Sequence, residues 1–191
     1  MSLQIEDIRS LFESYGEMPY SREPVTQLQH ALQTASLAES EGAPDTLVAA
    51  AFLHDLGHML RLHQKASDAP KPGEDDLHQF FALPFLRSRF PDAVLEPIKL
   101  HVEAKRYLCA IDPAYHAGLS PVSVHSLELQ GGIHSRDEVE RFRSLPFSDD
   151  ALRLRRWDDR AKTPGVETPN LAHYLAIVES VQQRRSEAEL R

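Results

Sequence analysis

Apolar residues return at three- and four-residue steps along most of the chain, the spacing that places them on one face of an α-helix. Ile5, Ile8, Leu11 and Phe12 make the first such stripe, which ends near Gly16. The stretch "MPYSREP" then reads as a loop. A helix from Pro24 to Glu41 follows, with Leu28, Ala31, Leu32, Ala35 and Ala38 inward and Gly42 as its stop. Asp45 is placed to cap the next helix, which runs through Leu47, Val48, Ala51 and Phe52 into "LHDLGHML". Residues 63–75, "HQKASDAPKPGED", are polar and proline-containing, which predicts a loop. A helix bearing Leu77, Phe80, Phe81, Phe85 and Leu86 comes next, then one opened by Asp92 that reaches Tyr107, with Pro97 able to kink its first turn. "DPAYHAGLS" reads as a turn region. Residues 121–129 and 135–145 read as helices separated by "QGG", "DDALRLRRWDDRAK" as another, and "TPGVETPN" as a loop. Asn170 caps a last helix that frays into "RRSEAELR". Strand-type alternation is nearly absent, and no repeat or linker interrupts the pattern. The pattern predicts an all-α bundle of about six to eight helices, one domain over residues 1–191.

Composition narrows the function classes. Lys and Arg number 21 against 29 Asp and Glu, a net charge of −8, and an acidic surface repels phosphate backbones. No nucleic-acid partner is expected, although a local basic pocket for a small anion is compatible with that balance. The single cysteine, Cys109, excludes an internal disulfide and fits a reducing, cytoplasmic setting. "MSLQIEDIRS" lacks the basic and apolar regions of a signal peptide, and no apolar run approaches the roughly 18–20 residues of a membrane span. No membrane association is expected.

The ten histidines change the picture more. In "AAFLHDLGHML", residues 50–60, His54, Asp55 and His58 interrupt an apolar run, where unpaired polar groups would cost several kcal/mol. On a continuous helix His54 and Asp55 lie about 100° apart, with His58 one turn beyond His54. His30 sits in the apolar helix "QLQHALQTA", His78 at the head of "HQFFALPFL", and His101 in "IKLHVEAKRYL" with Lys105 one turn later. Asp158 follows the only tryptophan in "RLRRWDDR". A metal cation would repay the burial of such a set. His63, His116, His125, His134 and His173 have no comparable context and read as ordinary side chains. Taken alone, "RRWDDR" would be a solvated charge run and Lys105 a surface lysine.

In the order H…HD…H…H…D, the chain resembles the HD-domain superfamily, whose members are mostly metal-dependent phosphohydrolases. Within it, the chain is most similar to the phosphonate-cleaving branch of mixed-valence diiron oxygenases, related to myo-inositol oxygenase. The resemblance spans about residues 18–175 and is carried by "QLQHALQTA", "LHDLGH", "HVEAKRYL", "LELQGG" and "RRWDDRAK". It implies two iron ions, Fe(II) and Fe(III), with O2 as co-substrate. His30, His54, Asp55 and Asp158 would hold the first iron, and Asp55, His78 and His101 the second, with Asp55 bridging. It further implies a small organophosphonate contacted by His58, Lys105, Arg155, Ser123, Ser126 and Gln130. Tyr20 and Glu23, ten and seven residues before His30, would form a lid. The implied tyrosine role is to occupy a metal position until substrate arrives, and the implied role of the acid is to face an amine. The implied activity is oxidative cleavage of the C–P bond of a 1-hydroxy-2-(amino or trimethylammonio)ethylphosphonate, giving phosphate and glycine or glycine betaine. Tyr20, Tyr107 and Glu23 are candidates for the amine end. The composition of loop 63–75 and the acid Glu103 beside the ligand helix depart from the family pattern.

The same ligand set would equally serve a phosphohydrolase, in which a divalent metal activates water to attack a phosphate ester or nucleotide. A degenerate partner-binding module fits less well, because the set is complete.

Overall fold

The computed structural model describes residues 2–64 and 73–189, so the stretch 65–72 of the expected loop lies outside the described residues. Twelve helices are present among them: α1 (Ile5–Tyr15), α2 (Gln27–Ser40), α3 (Asp45–Leu53), α4 (Leu56–Gln64), α5 (His78–Phe81), α6 (Leu83–Leu86), α7 (Asp92–Ile111), α8 (Pro113–Ala117), α9 (Pro121–Leu129), α10 (Arg136–Ser144), α11 (Ser148–Arg160) and α12 (Leu171–Glu189). No strand occurs among the described residues, only an isolated antiparallel bridge between Pro19 and Thr26. The all-α expectation holds. The helix count exceeds six to eight because expected helices divide and because short helices of four or five residues appear at α5, α6 and α8.

The organising element is α3, "DTLVAAAFL". A helix that is apolar all round belongs in the interior, and every residue from Leu47 to Leu53 is buried. The alanines at 49–51 let neighbours approach closely, and α2, α7, α11 and α12 all pack on it. Phe52 extends the core by stacking on Phe12 of α1 at 4.6 Å and on Tyr174 of α12 at 5.8 Å. Trp157 of α11 is buried in the same core. Leu100, Ala104, Tyr107, Leu108, Phe142 and Ala151 form a smaller core between α7, α10 and α11.

Local chemistry sets the helix ends, and here the structure corrects several expectations. The start of α2 is Gln27 rather than Pro24, because Thr26 makes a capping box: Gln29 N donates to Thr26 Oγ at 3.2 Å, and Thr26 N to Gln29 Oε1 at 3.0 Å. Asp45 is the first residue of α3, not its cap, which is Pro44. Asn170 does cap α12, its Oδ1 accepting from His173 N at 3.1 Å. The chain passes through Pro97 without ending α7, which continues to Ile111. The expected turn region after it contains α8.

Two corrections bear on the site. The helix expected to run straight through residues 45–60 breaks at a turn, so His54 and Asp55 lie between α3 and α4 rather than on one helix face. The expected 77–86 helix is split into α5 and α6, and Leu77 before it is left-handed, φ 50°. Gly57, at the start of α4, is what lets the turn press on α5. A Cβ there would sit 2.1 Å from the His78 carbonyl oxygen, a backbone atom that cannot yield cheaply. Gly57→Ala is therefore expected to cost about 1–3 kcal/mol of stability, as overpacking of tight sites does, measured by urea denaturation. An unchanged midpoint would show that the two helices are not in forced contact.

Candidate metal centre and cavity

Five segments deliver polar side chains to one buried point: α2 brings His30, the turn after α3 brings His54 and Asp55, α5 brings His78, α7 brings His101 and α11 brings Asp158. All six are buried. His30 Nε2 lies 3.2 Å from His54 Nε2, 3.6 Å from Asp55 Oδ2 and 3.4 Å from Asp158 Oδ1. His78 Nε2 lies 3.1 Å from His101 Nε2 and 3.2 Å from Asp55 Oδ1. His101 Nε2 is 3.8 Å from the same Asp55 oxygen. The sequence-predicted set is thus gathered into two adjoining groups that share Asp55, one oxygen toward each.

The hydrogen bonds behind the rings decide what those Nε2 atoms can do. His30 Nδ1 faces the Ala161 carbonyl at 2.9 Å, His54 Nδ1 that of Ala51 at 2.8 Å, and His101 Nδ1 that of Ile98 at 2.7 Å. A carbonyl only accepts, so each Nδ1 must carry the proton. A neutral ring then presents a bare Nε2 lone pair, the form that ligates metals. His78 Nδ1 is held likewise by Asp76 Oδ1 at 2.8 Å. Asp55 Oδ2 and Asp158 Oδ1 are buried without a hydrogen-bond partner among the described residues. Lone pairs and orphaned carboxylate oxygens converging on one point fit a metal cation. His30, His54 and Asp55 form one group able to hold an ion, and Asp55, His58 and His78 another.

Without such a cation, protons supply the positive charge. Burial alone would raise the Asp55 carboxyl, but the adjacent imidazoles of His54 and His78 hold it well below the usual range. Burial opposes protonation of His78, yet Asp55 and Asp76 push it up to about 10. His101 moves the other way, lowered by burial and by the charges on His78 and His54. Burial also acts against Asp158, but Arg155 keeps it ionised.

Beside this cluster lies a cavity of about 290 Å³, at the small end for a small-molecule site. Lys105, Ser123, Ser126, Gln130, Arg155 and His58 line it, together with Tyr20 and Glu23. Lys105 is 2% exposed, and its Nζ donates to Ser126 Oγ at 2.7 Å. It has no carboxylate within ion-pair distance among the described residues. Gln130 Oε1 is buried with no hydrogen-bond partner among them. Arg155 is differently disposed: it binds Asp158 at 2.8 Å, and Asp159 through two further nitrogens, and its Nε also reaches Tyr115 Oη at 3.2 Å. Its charge is therefore already compensated. Tyr20 stacks on His30 with centroids 3.9 Å apart, and burial with the nearby Asp55 and Asp158 holds its phenol well above the usual range. Glu23 accepts from Ser120 Oγ at 2.6 Å and pairs with Lys162 at 3.3 Å, so this acid meets an internal cation.

Among the remaining expectations, Tyr107 is buried against Phe142 and is not part of the cavity wall, which removes it from the amine end. Glu103 turns away toward Arg106 and His134. His125, read as an ordinary side chain, stands exposed at the cavity wall. Sequence reasoning missed Lys162, Asp159 and Asp76. Lys162 and Asp159 belong to the quoted "RRWDDRAK", and Asp76 lies two residues before His78, so their proximity was the only available signal. No described helix is long and apolar enough to cross a membrane.

Residues 27–160 match the HD domain family. The chain is 44% identical over 178 residues to the hydroxymethylphosphonate dioxygenase of Gimesia maris, covering 92% of this chain and 88% of that relative. It is 35% identical over 175 residues to the 1-hydroxy-2-(trimethylamino)ethylphosphonate dioxygenase (glycine-betaine-forming) of Leisingera caerulea, with 92% and 88% covered. An uncharacterised protein of Acanthamoeba polyphaga mimivirus is 34% identical over 177 residues, with 91% and 80% covered.

The Lys105 environment generates a prediction. Burial, then the nearby Arg155, lower its ammonium from 10.5 to about 7. In the unfolded chain it keeps its proton until about pH 10.4. Between these values the unfolded state binds more protons, so stability rises with pH, by at most about 1.4 kcal/mol per unit from this group. The penalty is full below pH 7 and gone once the unfolded lysine also deprotonates. Lys105→Met is therefore expected to be more stable than the parent chain at pH 6–7 without metal or substrate, the difference closing toward pH 10. Urea titrations across that range check this; a constant difference would contradict it.

Proposed function

The chain belongs to the HD domain family, and from that premise we propose that it is a mixed-valence diiron oxygenase that uses O2 to cleave the C–P bond of a 1-hydroxyalkylphosphonate. That class contains the hydroxymethyl and the 1-hydroxy-2-(trimethylamino)ethyl substrates in the relatives' names. The 2-amino and 2-trimethylammonio members would yield glycine and glycine betaine beside phosphate. In the balanced reaction the C–P bond and the carbon-1 C–H bond break and the carbon becomes a carboxylate. One O2 takes up all the electrons the carbon loses, so no external reductant enters.

The observation that carries this reading is the pair of imidazole groups sharing Asp55, beside a small cavity in which Lys105 is the lysine or arginine without a carboxylate partner among the described residues. His30, His54, Asp55 and Asp158 would hold one iron, and Asp55, His78 and His101 the other. Bound iron would supply the one-electron chemistry with O2 that side chains lack.

The chain's own residues supply binding and positioning. Lys105 anchors a phosphonate oxygen, and Ser126, Ser123 and Gln130 complete its hydrogen bonds. Because Arg155 is spent on Asp158 and Asp159, its part is to fix the metal-side carboxylate while its flank faces the anion. His58, with Nε2 3.8 Å from Asp55 Oδ1, is placed to hold or move a proton at that nitrogen. Tyr20 and Glu23 close the cavity and exclude water. A cavity of this size admits a hydroxyalkylphosphonate.

The test loads metal-free protein with Fe(II) without air, oxidises it partially, and adds hydroxymethylphosphonate or 1-hydroxy-2-(trimethylamino)ethylphosphonate with and without O2. Phosphate release only with O2 is expected. Hydrolysis of phosphate esters without O2 would instead assign the chain to the phosphohydrolases. Asp55→Ala is expected to lose activity together with bound iron; a fully active, iron-replete variant would refute the shared-carboxylate scheme.

A further inference from the structure

Asp76 stands outside the predicted metal and substrate sets, yet its two oxygens are divided between them. Oδ2 lies 2.7 Å from His58 Nδ1, and Oδ1 lies 2.8 Å from His78 Nδ1. The two rings stack, with centroids 4.2 Å apart and planes within 20°. Both therefore turn Nε2 the same way, toward Asp55 Oδ1, at 3.8 Å from His58 and 3.2 Å from His78.

The backbone is bent to make this possible. Leu77 adopts φ 50° and ψ 32°, a left-handed conformation that costs a residue with a Cβ roughly 1–2 kcal/mol. Its side chain is exposed and gains little from the position. The bend returns Asp76 under α5, where Oδ1 also accepts from His78 N at 3.2 Å. A strained, exposed leucine whose geometric result is one carboxylate under two imidazoles points to a role for that carboxylate.

We propose that Asp76 is a shared positioning residue, which fixes His58 and His78 together as Nδ1–H tautomers and so aims both Nε2 lone pairs at the cavity. This rests on the diiron reading, since it assigns His78 to the second metal and His58 to the substrate side. A carboxylate can accept from both rings at once. An asparagine has one accepting oxygen and one donating nitrogen. In Asp76→Asn at least one ring must rotate or move its proton to Nε2, where it would block the lone pair. Loss of such a supporting carboxylate typically weakens metal binding about 10–100-fold.

The experiment follows anaerobic Fe(II) binding by the full chain and by Asp76→Asn, together with the ring tautomers of the Zn(II)-loaded, diamagnetic proteins by long-range 1H–15N correlation. Circular dichroism verifies that the variant folds, and Asp76→Ala, which accepts from neither ring, serves as the second variant. The expected result is a second-equivalent affinity reduced at least tenfold in both variants, the first equivalent nearly unchanged, and the Nδ1–H signal of His58 or His78 lost. Parent-like affinity overturns the proposal, and so does weakened binding with both tautomers retained. A parent chain that binds fewer than two equivalents would instead refute the diiron reading beneath it, and the proposal with it.

Discussion

Two buried carboxylates, Asp55 and Asp158, set the terms for the rest of the fold. Removing an ionised carboxylate from water costs several kcal/mol unless opposite charge and hydrogen bonds return it. Here that return comes from four imidazoles and one guanidinium, drawn from helices far apart in sequence. α2, α5, α7 and α11 each bring a group to the turn between α3 and α4. The central position of α3 follows from this: its apolar length carries the carboxylate-bearing turn into the interior, where the other helices can converge on it.

The cavity beside the cluster inherits its selectivity from what is already neutralised. Arg155 is bound to Asp158 and Asp159, and Lys162 to Glu23, so their fields are largely cancelled. Lys105 has no carboxylate so placed among the described residues and donates to Ser126 instead. Its lowered proton affinity measures how poorly the folded chain alone accommodates that charge. Such a site favours a compact anion that also reaches the metal-side groups over one that brings bulk, and the small volume acts in the same direction.

Much of this was legible in the sequence, because histidines inside apolar helical stretches are costly and therefore conspicuous. His30 and His101 could be placed from helical periodicity alone, and Lys105 from its four-residue distance to His101. The break at His54–Asp55 was not legible: no proline marks it, and Leu53 and Leu56 continue the apolar pattern across it. Gly57 is a signal there, but of close approach to α5 rather than of a chain reversal. Asp76 lay hidden in the acidic run "EDD", where each residue reads as solvated, and only the left-handed Leu77 distinguishes it. Lys162 and Asp159 were masked by the same charge-run logic. A charge run does not reveal which of its members turn inward, because that depends on partners such as Glu23 and Arg155 in other elements.

The two sides of the cavity are built by different physics. On the metal side four of the clustered residues are flanked in sequence by core residues: His30 by Ala31, His54 by Leu53, His101 by Val102 and Asp158 by Trp157; His78 is instead held by Asp76. Their side chains are locked by packing, the condition under which ligand geometry is held to a fraction of an ångström. The Tyr20–Glu23 side relies more on polar contacts. Tyr20 N bonds to Val25 O at 3.0 Å and Gln27 N to Met18 O at 2.9 Å, while Glu23 reaches Ser120 and Lys162. The Tyr20 ring also stacks on His30, and Val25 is buried. Water can replace polar contacts at modest cost, whereas opening the packed side would expose the core around α3. The packed side is therefore the more firmly fixed of the two.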